Sequence, residues 1–576
     1  MFISNPIKTL KLFLLLILIS TTGTFGQDAL YSREARFHPV VAQNGMVVTE
    51  SKYATQAGLQ ILKEGGNAVD AAVTIGFTLA VTFPRAGNLG GGGFMLIYLA
   101  DSDEVLSIDY REKAPRGASR GMFLDEEGNP DNEKSRHSIL SVGVPGTVAG
   151  LALALENYGT ISLERALQPA IELAQKGFPV DQELSDSLNQ VKSRMKASTA
   201  SMDIFFKQGG KPYSEGELLT QKDLAWSLKQ IVKNGSEAFY TGDIAKKIDS
   251  FMEQSGGLIT NHDLKNYKAL IRKPVEGEYR GYKIYSMPPP SSGGVVLIEM
   301  LNILELFPLS SLGHNTAKTI HIFAETMKYA YADRSKYLGD PDFSPVPVTW
   351  LTSKKYAQSI KEQIDTEKST PSHKISPGNP NLQEGNNTTH FSVMDRYGNA
   401  VSNTYTLNFS YGSKITVPGT GILLNNEMDD FSAKPGTPNA YGLVGGRLNA
   451  IAPEKRMLSS MSPTIVMKDG KPFLITGSPG GSRIITTVLQ IIANVIDFNM
   501  NISEATNAVR VHHQWLPDKL MVERGLNEDT IKILKEMGYK VETGATIGVA
   551  ESIIKKGDYM YGASDPRRPG GSTAGY

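Results

Sequence analysis

The sequence has no cysteine. This excludes disulfide bonds, catalysis by a thiolate, and zinc or iron–sulfur sites built on cysteine ligands. It also has no net charge, because 59 lysines and arginines balance 59 aspartates and glutamates. A neutral chain has no overall field that would attract nucleic acid or an anionic membrane. We therefore expect no nucleic-acid partner, although a local basic patch could still bind a small anion.

Long apolar runs are also scarce, and the clearest one lies at the N-terminus. Lys8 and Lys11 precede the apolar residues 12–19, and small and polar residues 20–26 follow. This order is typical of a secretory signal peptide, and the run is far shorter than the roughly 20 residues that span a bilayer. An uncleaved membrane anchor is the alternative. We expect removal of residues 1–26, a periplasmic or secreted mature protein, and no stable membrane insertion afterwards.

Helical patterns dominate at roughly 150–270 and 315–365. Ser51 begins one helix that Gly65 and Gly66 end, and Asn67 can cap the next, which ends at Pro84. A strand follows over 94–99, and residues 148–158 and 314–338 are again helical. The bend at 287–294 is rich in proline and glycine. Residues 366–387 then have the polar, Pro/Gly/Asn-rich composition of a linker.

Short strands and turns dominate after the linker. Residues 390–394 and 400–407 are predicted to pair as a hairpin, and so are 465–468 and 473–476. Helices are expected at 484–498 and 502–509. Helix-rich segments around paired antiparallel strands predict a layered α/β fold.

The junction between linker and strand carries a candidate nucleophile. A threonine hydroxyl does not ionise near neutral pH, so Thr388 would need an adjacent base. Cleavage of the bond between Asn387 and Thr388 would supply one on the same residue, because a free α-amino group has a pKa of about 7.7–8.0. Taken alone, two threonines at the start of a strand are more often explained by β-propensity.

A glycine-rich turn follows the strand that ends at Thr476. Backbone N–H groups of Gly480 and Gly481 in such a turn can stabilise an oxyanion. An ordinary connection between a strand and a helix is the simpler alternative.

We expect neither a metal nor a cofactor. His512 and His513 are adjacent, and no third ligand lies at a useful spacing. The glycines at 90–93 lack the spacing of a dinucleotide fingerprint and precede a strand.

Several long motifs occur together and in one order. They are AGNLGGGGFMLI (86–97), DYRE (109–112), YSMPPPSSGG (285–294), TTH (388–390), GILLNNEMDDFS (421–432), LSSMSP (458–463) and GSPGGSR (477–483). With these motifs the chain resembles the γ-glutamyltransferases, also called γ-glutamyl transpeptidases or glutathione hydrolases, and especially the bacterial periplasmic members. The resemblance extends from about Val47 to Tyr576.

The resemblance implies an N-terminal-nucleophile hydrolase fold, an αββα sandwich in which helices flank two stacked antiparallel sheets. It also implies a precursor that cuts its own chain between Asn387 and Thr388. The mature protein would be a heterodimer of a large subunit, 27–387, and a small subunit, 388–576, which together form one αββα body.

The resemblance further implies the reaction. Thr388 would attack the γ-glutamyl amide of glutathione or a related compound, and the γ-glutamyl-threonine intermediate would pass to water or to an amino acid or dipeptide acceptor. Gly480 and Gly481 would bind the oxyanion, and Thr406 would orient the nucleophile. The other implied roles are binding of the substrate α-carboxylate by Arg111, Ser459 and Ser460, binding of its α-ammonium by Asn408, Glu427 and Asp430, and a mobile lid that contains Tyr441.

One position departs from many bacterial members, since Glu427 stands where they have glutamine. Two other interpretations remain. A cephalosporin or glutaryl acylase on the same scaffold is expected to alter the ammonium receptors, yet Asp430 and Asn408 are present. An exported binding protein without catalysis would not need Thr388, Gly480 and Gly481.

Overall fold

A computed structural model of the chain describes residues 35–376, 388–434, 446–544 and 546–576, and it describes only the backbone of Thr388. The predicted signal peptide, Asn387 and Tyr441 therefore lie outside the described residues. Residues from Pro39 to Tyr576 form one unit, separate from the segment from Met1 to His38.

Two seven-stranded antiparallel sheets form the centre of the unit. Sheet A contains, from edge to edge, Ser572–Gly575, Gly45–Thr49, Thr388–Asp395, Ala400–Thr406, Gly92–Leu99, Glu104–Tyr110 and Leu270–Arg272. Sheet B contains Val40–Ala42, Tyr559–Ser564, Glu551–Lys556, Lys471–Thr476, Thr464–Lys468, Tyr282–Ser286 and Val275–Tyr279. Smaller sheets consist of Phe178–Pro179 with Leu218–Leu219, Thr416–Val417 with Ile422–Leu423, and Val511–His512 with Leu520–Val522 and Val541–Thr543.

The α-helices of the described ranges lie between these strands in sequence. They are Lys52–Lys63, Ala68–Thr82, Asn132–His137, Thr147–Tyr158, Leu163–Lys176, Gln182–Met195, Thr199–Phe205, Lys222–Asn234, Glu237–Tyr240, Asp243–Ser255, Asn261–Lys265, Gly293–Leu304, Leu309–Leu312, Ala317–Tyr337, Val348–Leu351, Lys354–Lys361, Arg483–Ile496, Ile502–Asn507 and Glu528–Glu536. Within the described ranges, no helix is both long enough and apolar enough to cross a bilayer.

The alternation of side chains along the strands explains the layers. In strand Gly92–Leu99, Phe94 and Leu96 belong to the apolar cluster between the sheets, whereas Met95 and Ile97 pack against helices on the other face. This period of two is what a strand buried on both faces requires. Sheet B likewise packs its outer face on helices such as Gly293–Leu304. The predicted αββα sandwich is confirmed.

Local capping explains where the first helices begin. The Asn67 side chain accepts hydrogen bonds from the backbone N–H groups of Val69 and Asp70, and the Asp70 carboxylate accepts from the Asn67 N–H. Such a reciprocal capping box satisfies donors that the helix itself leaves free. Helix Ala68–Thr82 is buried along its whole length, which agrees with the small side chains that the sequence places there.

The strand that begins at Thr388 lies inside sheet A rather than at its edge. Its residues pair with Ala400–Thr406 on one side, with Thr388 opposite Thr406, and from Phe391 onward with Gly45–Thr49 on the other. The predicted hairpin therefore forms, and its first strand starts two residues earlier than the sequence pattern indicates. The Asp395 carboxylate closes the turn by accepting from the N–H groups of Tyr397 and Asn399 at 2.8 and 2.9 Å.

The first part of the predicted linker is held against the protein. Ser372 is buried, and its N–H and hydroxyl donate to the Asp518 carboxylate at 2.9 and 2.7 Å. The Trp515 indole donates to the carbonyls of Ser372 and Ile375 at 2.9 and 3.2 Å. Composition alone indicates a solvated linker from residue 366. At Ser372 the segment instead contacts a polar group of the folded unit.

The glycines at 90–93 allow close approach of backbones. A Cβ atom on Gly91 would lie 2.0 Å from the Thr406 carbonyl oxygen, and one on Gly93 would lie 2.4 Å from Tyr405 Cβ. Such distances are far below van der Waals contact, so any side chain at these positions would push the strand from 400 to 406 away.

We predict that Gly91→Ala lowers the free energy of unfolding by about 3 kcal/mol or more, because the new methyl group must displace backbone rather than a flexible side chain. Gly121→Ala is the matched control, since its nearest neighbour would be Leu124 Cδ1 at 3.8 Å. Denaturant unfolding measures both. Equal stability of the two variants would contradict the role of close packing at Gly91.

Candidate active site

Thr406 is held at the end of its strand by a network from the glycine-rich loop. The Asn88 amide donates to the Thr406 carbonyl at 2.8 Å, and the Asn88 carbonyl oxygen accepts from the Gly91 N–H and the Thr147 hydroxyl at 2.9 and 2.7 Å. The Thr406 hydroxyl accepts from the Asn408 N–H at 2.8 Å. These bonds fix the backbone directly opposite Thr388.

His390 lies two residues beyond Thr388 and is fully buried. Its ring nitrogens are hydrogen-bonded with the hydroxyls of Thr404 and Ser392 at 2.8 and 3.1 Å. Burial lowers the pKa of His390 to about 3, so the ring is neutral and a weak base at neutral pH. This histidine is therefore poorly suited to activate a threonine hydroxyl.

The glycine turn, residues 477–482, lies beside the start of the same strand. A Cβ on Gly477 would be 2.3 Å from the His390 ring, so turn and strand are in direct contact. Gly480 and Gly481 have φ values of 134° and 59°, which side-chain-bearing residues rarely adopt. Helix Arg483–Ile496 begins immediately after the turn. N–H groups at such a position can stabilise a developing negative charge.

A buried charge cluster, consisting of Arg111, Glu112, Glu427 and Asp430, lies beyond the next two strands. Arg111 Nη1 is 2.8 Å from Glu427 Oε2 and 3.4 Å from Glu112 Oε2, and Arg111 Nη2 donates to Asp430 Oδ2. The guanidinium also donates to the carbonyls of Met457 and Leu458, each at 3.3 Å. One cation thus faces three carboxyl groups.

Proton affinities in this cluster follow from burial and from the arginine. Burial raises the pKa of Glu112 to about 7 against the opposing attraction of Arg111, and it raises the pKa of Glu427 well above the usual range. Burial lowers the pKa of Arg111, but Glu427, Asp430 and Glu112 outweigh this effect and the pKa is raised overall. Glu427 therefore holds its proton to a higher pH than an exposed glutamate does, which limits the negative charge around the guanidinium.

The roles implied by the resemblance assign Arg111 to the substrate carboxylate and Glu427 and Asp430 to its ammonium group. The structure instead places Arg111 in direct contact with Glu427 and Asp430. Buried opposite charges pair when nothing separates them, since an isolated buried charge is very costly. A bound zwitterion would have to insert its own charges into this pairing.

Ser459 and Ser460 follow directly after Leu458, whose carbonyl accepts from Arg111. The Ser459 hydroxyl accepts from the Met461 N–H at 3.1 Å. The Ser460 hydroxyl is buried and has no hydrogen-bond partner in the described parts of the chain. A buried hydroxyl in this state indicates a position that a ligand can occupy.

Asn408 has a left-handed backbone, with φ of 73°, and its amide donates to the Asn426 carbonyl at 3.0 Å. Asn426 directly precedes Glu427, so the strand end at Thr406 and the charge cluster are joined through this contact. The structure thus links Thr406, Asn408, Glu427, Asp430, Arg111 and the serines in one continuous region. Tyr441 lies outside the described residues.

Sequence reasoning missed two residues that hold this region together. Asn88 lies within the motif at 86–97, in which only the glycines were given a role. Glu112 lies in the motif at 109–112, in which only Arg111 was given a role. The contact between the Ser135 hydroxyl and Asp429 Oδ1 was also missed. It gives no sequence signal because the two residues are 294 positions apart.

Comparison with known proteins agrees with this arrangement. A family model described as Gamma-glutamyltranspeptidase matches residues 54–575. The glutathione hydrolase proenzyme of Escherichia coli (strain K12) is 55% identical over 541 residues, which cover 94% of this chain and 93% of that protein. The chain belongs to the γ-glutamyltranspeptidase family. The predicted family and enzyme class are confirmed.

Solved structures of related proteins have the same fold. A cephalosporin acylase from Bacillus halodurans is similar with a TM-score of 0.84 and 28% identity, covering 96% of this chain and 99% of that chain. The γ-glutamyltranspeptidase of Helicobacter pylori is 49% identical with a TM-score of 0.56, covering 58% of this chain and 96% of that chain. Fold alone therefore does not separate transpeptidases from acylases, and specificity depends on the site residues.

We predict that Arg111→Met destabilises the chain by about 3–5 kcal/mol at neutral pH, because it leaves three buried carboxyl groups without their cation. The loss should be smaller at pH 5. Without the arginine, the folded-state pKa values of Glu112 and Glu427 rise further above their unfolded values, so the stability of the variant falls as pH increases. Thermal unfolding at pH 5 and pH 8 measures the difference. A stability loss that is independent of pH would contradict the electrostatic account.

Proposed function

We propose that the chain is an exported, self-processing enzyme that transfers the γ-glutamyl group of glutathione and related compounds to water or to amino acid and dipeptide acceptors. Two subunits, 27–387 and 388–576, would result from its own cleavage before Thr388, after removal of the signal peptide 1–26. The observation that carries the proposal is the position of the charge cluster relative to Thr388.

The register of sheet A supports a substrate of defined length. Thr388 pairs with Thr406, Thr406 pairs with Gly92, and Arg111 directly follows Tyr110, which pairs with Gly93. Three inter-strand spacings of about 4.8 Å therefore separate the backbones of Thr388 and Arg111, about 14 Å in all. An arginine side chain and a γ-linked glutamyl group can together bridge this distance.

The charge cluster suits the head of a glutamyl group. Its α-carboxylate would pair with Arg111 and accept from the serine hydroxyls, because a planar guanidinium binds a carboxylate through two parallel hydrogen bonds. Its α-ammonium would take over Asp430 and Glu427 from Arg111, with Asn408 as a further acceptor. The substrate would thus replace the contacts of Arg111 with Glu427 and Asp430 by ion pairs at both of its own charges, which compensates their loss.

This cluster favours γ-glutamyl substrates over the acyl groups of an acylase. An acyl side chain without an ammonium group would leave Asp430 and Glu427 with no new partner, and a buried unpaired carboxylate is costly. The identity to the Escherichia coli glutathione hydrolase proenzyme, 55%, also exceeds the 28% identity to the cephalosporin acylase. We therefore prefer a γ-glutamyl enzyme.

The hydroxyl of Thr388 would take part in two reactions, self-cleavage and transfer of the γ-glutamyl group. Thr388 Oγ1 would first attack the carbonyl of Asn387, and the acyl group would move from the backbone nitrogen to oxygen before water releases it. The freed α-amine of Thr388 would then serve as the base when the same hydroxyl attacks the γ-carbonyl of the substrate. Thr406 would orient this hydroxyl. The N–H groups of Gly480 and Gly481 would stabilise the oxyanion, and loss of one such donor typically costs about 10²–10³ in rate.

We predict that Thr388→Ala remains one polypeptide and has no γ-glutamyl hydrolase activity, because both reactions need the hydroxyl. Denaturing gel electrophoresis and release of aniline from a γ-glutamyl anilide measure the two effects. The control is Thr389→Val. Thr389 is buried in the same strand, and this substitution removes only the hydroxyl next to that of Thr388. Cleavage of Thr388→Ala between residues 387 and 388 at the normal rate would contradict the proposal.

We predict that Arg111→Lys raises the KM for a γ-glutamyl anilide at least about 30-fold and slows self-cleavage only a few-fold, because lysine cannot make the paired contacts with a carboxylate. Arg165→Lys, at an ion pair with Glu64 on the surface, is the control and should leave both values unchanged. Wild-type KM in Arg111→Lys would reject its role as the carboxylate receptor.

A further inference from the structure

Helix Ala317–Tyr337 contacts residues that hold the glycine turn and residues that hold the backbone of Ser459. Near the end of helix Ala317–Tyr337, Tyr331 and Arg334 are three residues apart and therefore lie on the same face. Both side chains are almost fully buried, with exposed fractions of 2% and 1%. Tyr331 contacts the glycine turn, and Arg334 contacts Ser292 in the bend at 287–294, which in turn contacts the Ser459 carbonyl.

Tyr331 fixes the end of the glycine turn. Its hydroxyl donates to the carbonyl of Ser482, the residue that follows Gly480 and Gly481 and precedes helix Arg483–Ile496. The Ser482 hydroxyl donates to Gln514 Oε1 at 2.8 Å. Ser482 is thus held by its backbone and by its side chain, which restricts the peptide planes of the two flexible glycines before it.

Arg334 acts through Ser292. Arg334 Nε donates to the Ser292 hydroxyl at 2.9 Å, and that hydroxyl donates to the Ser459 carbonyl at 2.7 Å. The Ser292 N–H donates to the same carbonyl at 2.7 Å. The Pro/Gly-rich bend at 287–294 therefore supports the backbone that presents Ser459 and Ser460, and Arg334 holds the hydroxyl of this bend in place.

We propose that Tyr331 and Arg334 are positioning residues with separate tasks, Tyr331 for the N–H groups of Gly480 and Gly481 and Arg334 for the hydroxyls of Ser459 and Ser460. This inference rests on the proposed function, which gives the glycine turn and the serines their roles. Their effects on the reaction are indirect, because each acts through a residue that supports the site, Ser482 for Tyr331 and Ser292 for Arg334.

The two tasks have different kinetic signatures. An oxyanion exists only in the tetrahedral states, so a displaced glycine turn lowers kcat and also slows self-cleavage, with little effect on KM. The serines bind the α-carboxylate in the ground state and in the transition state alike. Loosening them therefore raises KM and leaves kcat nearly unchanged.

The test compares Tyr331→Phe, Arg334→Gln and Arg334→Lys in the full chain. For Tyr331→Phe we expect kcat for a γ-glutamyl anilide to fall about tenfold, less than the loss of an oxyanion donor itself, with KM within about twofold. Self-cleavage should slow by a similar factor. For Arg334→Gln we expect KM to rise about tenfold with kcat and self-cleavage within about twofold, and Arg334→Lys should restore part of the affinity.

Tyr329→Phe is the matched control, because Tyr329 is buried in the same helix and its hydroxyl donates to the Gln363 carbonyl at 3.3 Å, away from the site. It should change neither parameter. Thermal unfolding of each variant shows whether the fold is intact. If Tyr331→Phe unfolds below the assay temperature, Ser482→Ala replaces it, since it removes the Gln514 contact of the same residue and should lower kcat alone.

Parallel changes of kcat and KM in both variants, or wild-type kinetics in both, would overturn the inference. Failure of the proposed function itself gives a different result, because the wild-type chain would then neither split nor hydrolyse the γ-glutamyl anilide.

Discussion

The pairing of strand Thr388–Asp395 inside sheet A is the constraint on which the rest of the site depends. The strand is hydrogen-bonded to Ala400–Thr406 along its length and to Gly45–Thr49 from Phe391 onward. Breaking the chain before Thr388 removes no bond of this ladder, so the new N-terminus would remain where the sheet holds it. The register of the strands would then place its α-amine at a fixed distance from the glycine turn and the charge cluster.

Burying the charged groups of the cluster costs free energy of desolvation. Replacing buried ion pairs by apolar side chains is often neutral or stabilising in proteins. Stability alone therefore does not explain the presence of Arg111, Glu427 and Asp430. In the proposed function a zwitterionic head group needs receptors of both signs within a few ångströms, and this cluster would provide them together with the Ser460 hydroxyl.

Much of the fold follows from the sequence, because periodicity and capping are local. The helices that begin after Ser51 and Asn67, the hairpin from Thr388 to Thr406 and the long helix Ala317–Tyr337 all form close to their predicted bounds. Contacts between distant elements do not follow from local patterns. Tyr331 meets Ser482 across 151 positions, and nothing in either segment identifies the partner. The direct pairing of Arg111 with the acidic residues was missed for the same reason, since motif order assigns roles but no distances.

The central claim is that Thr388 carries the acyl group during turnover. Acid quenching of the enzyme during hydrolysis of a γ-glutamyl anilide, followed by peptide mapping with mass spectrometry, tests it directly. The account predicts a γ-glutamyl group in ester linkage on the hydroxyl of Thr388, at the N-terminus of the small subunit. A γ-glutamyl group on any other residue, or an uncleaved peptide that spans residues 387 and 388 in the active enzyme, would contradict it.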